Sequence, residues 1–140
     1  MTKTWSTKSE LTYGRYGAAT AVVDNKMYVF AGNYSADTAE VYDPTTDTWQ
    51  EITGNSKLSD RFDTAVVNGR FIDVVISQIT ENSLVLRYNT LNDSWQVFTI
   101  NTESTAYKDT VIYKGRTYLI GGTNDTENTQ NVVSYYIGDN

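Results

Sequence analysis

The sequence predicts an all-β fold made of three copies of one four-stranded unit, the blade of a β-propeller. Three observations carry that prediction. The tryptophans stand at Trp5, Trp49 and Trp95, 44 and 46 residues apart. A shared segment leads into two of them: Ala39-Glu-Val-Tyr-Asp-Pro-Thr-Thr-Asp-Thr-Trp49 matches Val85-Leu-Arg-Tyr-Asn-Thr-Leu-Asn-Asp-Ser-Trp95, with tyrosine and tryptophan 7 apart in both. Upstream, Thr20–Gly32, Thr64–Ile76 and Thr110–Gly122 align with one another without gaps. Self-similarity at a period of about 45 residues marks a stacked repeat, and apolar runs this short bounded by turns are strands.

Each element of the unit has its own signal. Ala18–Val23 is rich in β-formers, and Asp24-Asn25, Asn68-Gly69 and Lys114-Gly115 read as two-residue hairpin turns. Such turns need positive φ, which Asn, Asp and Gly tolerate. The second strand, Met27–Ala31, is apolar without alternation, so both of its faces are expected to be buried. Polar loops follow at 33–38, 77–83 and 123–130. The third strand ends in Tyr42 or Tyr88, and a polar turn then leads to a fourth strand that opens with the tryptophan. Four antiparallel strands per repeat describe a propeller blade.

At these positions the chain resembles the kelch repeat. The first copy carries Arg15-Tyr16-Gly17, Tyr28, Ala31-Gly32, Tyr42-Asp43-Pro44 and Trp49. The second has Val75-Ile76 in place of the diglycine and Ser59 at the arginine position, with Arg61 two residues late. The third keeps Gly121-Gly122, has Thr105 at the arginine position, and holds two tyrosines, Tyr135 and Tyr136, where one is expected. The resemblance implies blades at 10–53, 54–99 and 100–140, with 1–9 as a closing outer strand. It also implies that the loops joining strands two to three and four to one open on a single face.

Composition removes whole classes of chemistry. Among 140 residues there is no His and no Cys, which excludes triads using either residue, thiolate or imidazole metal sites, and disulfides. A net charge of −6 argues against non-specific binding to nucleic-acid polymers or anionic membranes. Aromatic content of 13% is too high for a disordered chain. Met1–Lys8 shows no apolar stretch of a secretory leader, and no run approaches a membrane-spanning length of about 18 residues. The cytoplasm is the default expectation, and a mature secreted form would read the same.

Three blades make half of a six-bladed ring, and the register adds a second clue. Trp5 begins a fourth strand with no preceding three, while the last blade stops at Tyr136-Ile-Gly-Asp-Asn140, before its own tryptophan. One end supplies what the other lacks, so a two-fold homodimer with exchanged strands is expected, residues around Trp5 pairing with the partner's 131–137 strand. Burying Trp5 there contributes up to about 3 kcal/mol. The other reading is half of a longer propeller.

The expected face combines the 32–39, 77–84 and 122–131 loops with the stretches 11–17, 56–62 and 102–108. Its candidate ligand-binding residues are Arg15, Tyr16, Arg61, Phe62, Tyr107 and Lys108, cations interleaved with aromatics that suit an anionic group beside a stacking surface. Structural or solvated roles compete for each of them. Asp63 and Asp109 align at the start of the innermost strand and offer acid–base chemistry only weakly, and the loop Asn124-Asp-Thr-Glu-Asn128 lacks a calcium pattern. Asp73 takes a mid-strand place held by Val29 and Leu119, while Arg87 stands where the first copy has Val41. A buried carboxylate is costly, so the pair is expected to form an ion pair.

The functional expectation is a non-enzymatic binding protein without cofactor or metal, its loop face recognising a protein partner. The alternative is a receptor or sequestering protein for a small anionic ligand, a nucleotide or acidic sugar, in the dimer's channel. Copper oxidases of the galactose oxidase type and sialic-acid mutarotases also carry kelch-like propellers. The copper site cannot be built without His or Cys, which leaves a mutarotase-like enzyme as the remotest reading.

Overall fold

The computed structural model describes residues 3–58, 64–76, 82–101, 108–123, 127–128 and 130–138. Its strands are β1 Ala19–Val23, β2 Lys26–Phe30, β3 Ala39–Asp43, β4 Thr48–Ile52, β5 Thr64–Asn68, β6 Phe71–Ile76, β7 Ser83–Asn89, β8 Ser94–Ile100, β9 Asp109–Tyr113, β10 Arg116–Ile120 and β11 Val132–Tyr135. They form three antiparallel sheets with strand orders β1-β2-β3-β4, β5-β6-β7-β8 and β11-β10-β9, and no helix occurs among the described residues. The first strands β1, β5 and β9 lie side by side in succession, the arrangement of inner strands around a propeller axis. The all-β, three-blade expectation holds.

The hairpin turns refine the expected alignment. Asp24 and Asn25 both have positive φ, as do Lys114 and Gly115, and both pairs therefore make the mirror-image turn that matches strand twist. In the second blade Asn68 pairs with Phe71, so the turn is Gly69-Arg70 and not Asn68-Gly69. Only Gly69 has positive φ there, the variant that places glycine first. The register consequently shifts by one residue, which exchanges the two faces of a strand. Asp73 is the counterpart of Tyr28 and Tyr118, not of Val29 and Leu119, and Asp109 is the counterpart of Thr64 rather than of Asp63. Asp63 itself lies outside the described residues.

Each sheet therefore has a forward face toward the next blade and a back face toward the previous one. Ala19, Ala21, Val23, Tyr28, Phe30 and Val41 on the forward face of the first blade pack against Ile72, Val74, Ile76, Leu86 and Tyr88 on the back of the second. Phe30 and Tyr28 contact Tyr88 with ring centroids 5.7 and 6.0 Å apart, and Phe30 meets Trp95 edge-on at 5.5 Å. The second seam is smaller: Val75 and Val85 against Leu119, flanked by Phe98, Ile100, Tyr135 and Ile137. It also holds the ion pair. Arg87 Nε and Nη2 donate to the two oxygens of Asp73 at 2.7 and 2.9 Å, and both side chains are buried. The expected cross-strand pairing is observed directly.

The expectation that β2 is buried on both faces fails at one residue. Val29 is covered, but Met27 is 41% exposed beside the exposed Val22. These residues occupy the back face of the first blade, and they line a hollow of about 370 Å³ with Thr20 and Trp49. The forward face of the third blade is the complementary case, exposing Val111, Tyr113, Ile120 and Val132. Residues 3–10 form no strand, and Trp5 is 100% exposed.

Candidate functional site

Blade connections meet where the sequence places the loop face. An isolated bridge joins Tyr16 to Asn33, whose backbone N–H donates to the Tyr16 carbonyl at 2.9 Å. Ser35 Oγ donates to the Gly14 carbonyl at 3.2 Å, so the 11–17 stretch and the 32–39 loop share one end of the blade. The connection to the next blade joins them, since Asn55 N–H donates to the Asp37 carbonyl at 3.1 Å. Two glycines permit these approaches. A Cβ on Gly32 would meet the Tyr16 carbonyl oxygen at 3.0 Å with φ of +91°, and one on Gly54 would meet the Asp37 oxygen at 2.0 Å.

Arg15 is placed inside this construction rather than on it. Its Nη1 donates to the Ala31 carbonyl at 2.6 Å, and its Nη2 to Thr38 Oγ1 at 2.9 Å and Glu40 Oε2 at 2.7 Å. Its side chain is 2% exposed. Glu40, enclosed in the middle of β3, also accepts the Thr12 backbone N–H at 2.7 Å. One buried pair thus ties the entry stretch, the start of the 32–39 loop and β3 into a rigid unit. The sequence reading missed Glu40. Its signal was available: a carboxylate between Ala39 and Val41 in an apolar strand demands a cation, by the logic applied to Asp73.

Burial alone would raise the Glu40 carboxyl, but hydrogen bonds from Thr12 and Arg15 outweigh it and hold its pKa below the ordinary carboxylate value. Burial opposes and hydrogen bonds from Tyr88 and Thr53 likewise lower Asp93, while the Tyr42 hydroxyl and the Ser9 amide lower Asp47. A depressed folded-state pKa contributes stability above the unfolded value, lost as pH falls through the folded one. The melting temperature should stay level between about pH 7 and 5, then drop progressively below about pH 4. Glu40→Gln should fall less steeply from a lower start. A melting temperature constant down to about pH 3 would refute this assignment.

What the loop end exposes is aromatic. Tyr16 is 53% and Tyr34 87% exposed, their rings edge-to-face at 6.0 Å, and Asn33 donates its side-chain amide to the Tyr16 hydroxyl. Tyr34 has φ of +70°, a conformation that bulky residues avoid at a cost of about 1–3 kcal/mol. Tyr13 donates its hydroxyl to Glu51 at 3.3 Å; the nearby Glu51 charge raises its pKa, so the phenol stays neutral at physiological pH. Lys108 is almost fully buried, with Nζ 3.2 Å from Ser83 Oγ. Arg61, Phe62 and Tyr107 lie outside the described residues. Of the six candidates, the structure therefore exposes Tyr16, buries Arg15 and Lys108, and adds Tyr34 and Asn33. No residue pattern announced Tyr34, because its backbone conformation is set by Gly32 and by the Thr38–Ser35 and Ala31–Thr38 hydrogen bonds that close the loop.

A second repeated device joins successive blades. The Trp49 indole donates to the Ser9 carbonyl at 3.0 Å, and the Trp95 indole to the Thr53 carbonyl at 2.7 Å. Asp47 accepts the Ser9 N–H at 3.2 Å and the Tyr42 hydroxyl; Asp93 accepts the Thr53 N–H at 3.0 Å and the Tyr88 hydroxyl at 2.7 Å. The second blade thereby grips the residue that follows β4 of the first, and the first blade holds Ser9 by the same contacts.

Successive antiparallel sheets, an arginine-anchored entry and a Tyr-Asp-Trp latch make this fold similar to part of a kelch-type β-propeller. Residues 14–56 match the kelch motif. An F-box/kelch-repeat protein of Arabidopsis thaliana is 32% identical over 77 residues, which make up 54% of this chain and 19% of that protein. The solved structure of YjhT, a kelch-type propeller, matches 99% of this chain with a TM-score of 0.80 at 18% identity, and 54% of its own length is covered. The chain spans about a fifth of the curated relative and about half of the solved structure.

Proposed function

We propose that this protein is a non-enzymatic recognition scaffold whose loop face binds a protein partner, and that two copies close a six-bladed ring. The observation that carries the binding reading is the exposed Tyr16–Tyr34 pair on a strained loop held by the buried Arg15–Glu40 anchor. Exposed tyrosines supply large contact area with little side-chain entropy to lose, which suits protein recognition. Strain at an exposed residue otherwise brings no benefit to folding. The anionic-ligand alternative loses support, since Arg15 and Lys108 spend donors on their own chain. The ring reading rests on the exposed Val22 and Met27 at the back of the first blade, on the exposed Val111, Tyr113, Ile120 and Val132 at the front of the third, and on a fold match to half of a propeller.

Light scattering should give twice the chain mass of 15.7 kDa at micromolar concentration; a single-chain mass removes the ring. Tyr34→Gly should raise stability by about 1 kcal/mol, by releasing the strain. A partner captured by the wild type should be lost with Tyr34→Gly and with Tyr16→Ala, and kept with Leu91→Ala on the opposite end. Capture that survives both loop variants refutes the assignment of this face.

A further inference from the structure

We infer that residues 4–8 form the fourth strand of a second copy's third blade, with Trp5 completing its latch. This rests on the ring reading above and specifies how the ring is locked. The third blade differs from the other two at one place. In the first and second, β3 and β7 are covered by β4 and β8, and Tyr42 and Tyr88 face an indole across the strands at 5.0 Å. Register makes Tyr135 the counterpart of these tyrosines, because it pairs with Thr117 as Tyr42 pairs with Met27 and Tyr88 with Ile72. The outer edge of β11 pairs with no strand among the described residues, and no indole there faces Tyr135. The Tyr135 hydroxyl is buried and, among the described residues, lacks the aspartate that receives its counterparts, Asp47 for Tyr42 and Asp93 for Tyr88.

The missing pieces are present elsewhere in the same chain. Ser9 is gripped by Asp47 and Trp49 of the first blade as Thr53, the residue following β4, is gripped by Asp93 and Trp95 of the second. The segment before Ser9 therefore stands where the outer strand of a preceding blade would stand, and Trp5 is four residues before Ser9 as Trp49 is before Thr53. In its own chain Trp5 touches solvent on all sides. In a head-to-tail ring, the blade preceding the first is the partner's third. Transferring the β3–β4 register onto β11 sets Trp5 opposite the partner's Tyr135, Ser6 opposite the partner's Ser134, and Lys8 opposite the partner's Val132. The Trp5 indole then donates to the partner's Thr99 carbonyl, the position equivalent to Ser9 and Thr53. Because each copy gives a strand and receives one, the two-fold ring closes and leaves no edge open.

The chain has no cysteine, so an introduced pair reports register without background. Ser6→Cys chains mixed with Ser134→Cys chains should form a covalent heterodimer under mild oxidation, and Trp5→Ala should weaken the dimer by about 30-fold or more, as loss of a central anchor does. A dimer by light scattering that yields no crosslink, and whose affinity is unchanged by Trp5→Ala, overturns the exchange while leaving the ring intact. A wild-type chain that stays monomeric overturns both. Ser6→Cys/Ser134→Cys chains that crosslink within one monomer would show the segment folding back on its own β11, and would also overturn the exchange.

Discussion

Asp73→Val should cost about 3–5 kcal/mol, because it strands a guanidinium inside the second seam. Arg87 is gripped from several sides. Beyond Asp73, its Nη1 donates to the Gly138 carbonyl at 2.9 Å, and its guanidinium lies 5.0 Å from the Phe71 ring and 5.8 Å from that of Phe98. It therefore cannot swing out to water without abandoning the residues after β11. Removing the charge as well should reverse much of the loss. Asp73→Val/Arg87→Met should be at least about 2 kcal/mol more stable than Asp73→Val alone, since a buried pair breaks even against apolar groups of similar volume. The rescue stays partial, for the Gly138 carbonyl loses its donor in the double variant. Denaturant melts of the four proteins of this cycle decide it; additive losses would show that the two side chains are not coupled.

The sequence made that pair legible because a carboxylate and an arginine interrupt two apolar strands of one repeat, and opposite charges facing each other across neighbouring strands have few alternatives. It left the one-residue register shift hidden, since Asn68-Gly69 is a strong turn signal and Gly69-Arg70 a weak one. The face assignments of Asp73 and Asp109 moved with that shift. Repeat spacing could expose the blades, and the arginine of the first repeat was visible too. Its role was not, because Glu40 lies 25 residues away and only the folded strand brings them together. Tyr34 lies furthest from sequence reasoning: its exposure and its positive φ are properties of a closed loop, and an isolated Asn-Tyr-Ser carries no trace of either.

Phe30→Ala should be the most damaging apolar truncation in the first blade, about 3–5 kcal/mol. Phe30 is fully buried at the end of β2, where its ring meets Tyr28, Tyr88 and Trp95. Tyr88 and Trp95 belong to the second blade, so the cavity opens within the seam, and neither ring can collapse into it freely. The Tyr88 hydroxyl is fixed to Asp93 and the Trp95 indole to the Thr53 carbonyl. Function should suffer before the protein unfolds. Phe30 is followed directly by Ala31, whose carbonyl receives Arg15, and Gly32, both with positive φ as the chain turns toward Asn33 and Tyr34. Loosening the seam should therefore free the tyrosine pair. Amide exchange should accelerate across β1–β4 more than across β9–β11, because blades in a stack depend on their immediate neighbours. Uniform acceleration over all three blades would instead show that the stack unfolds as one unit, with the first seam holding no independent control over the binding face.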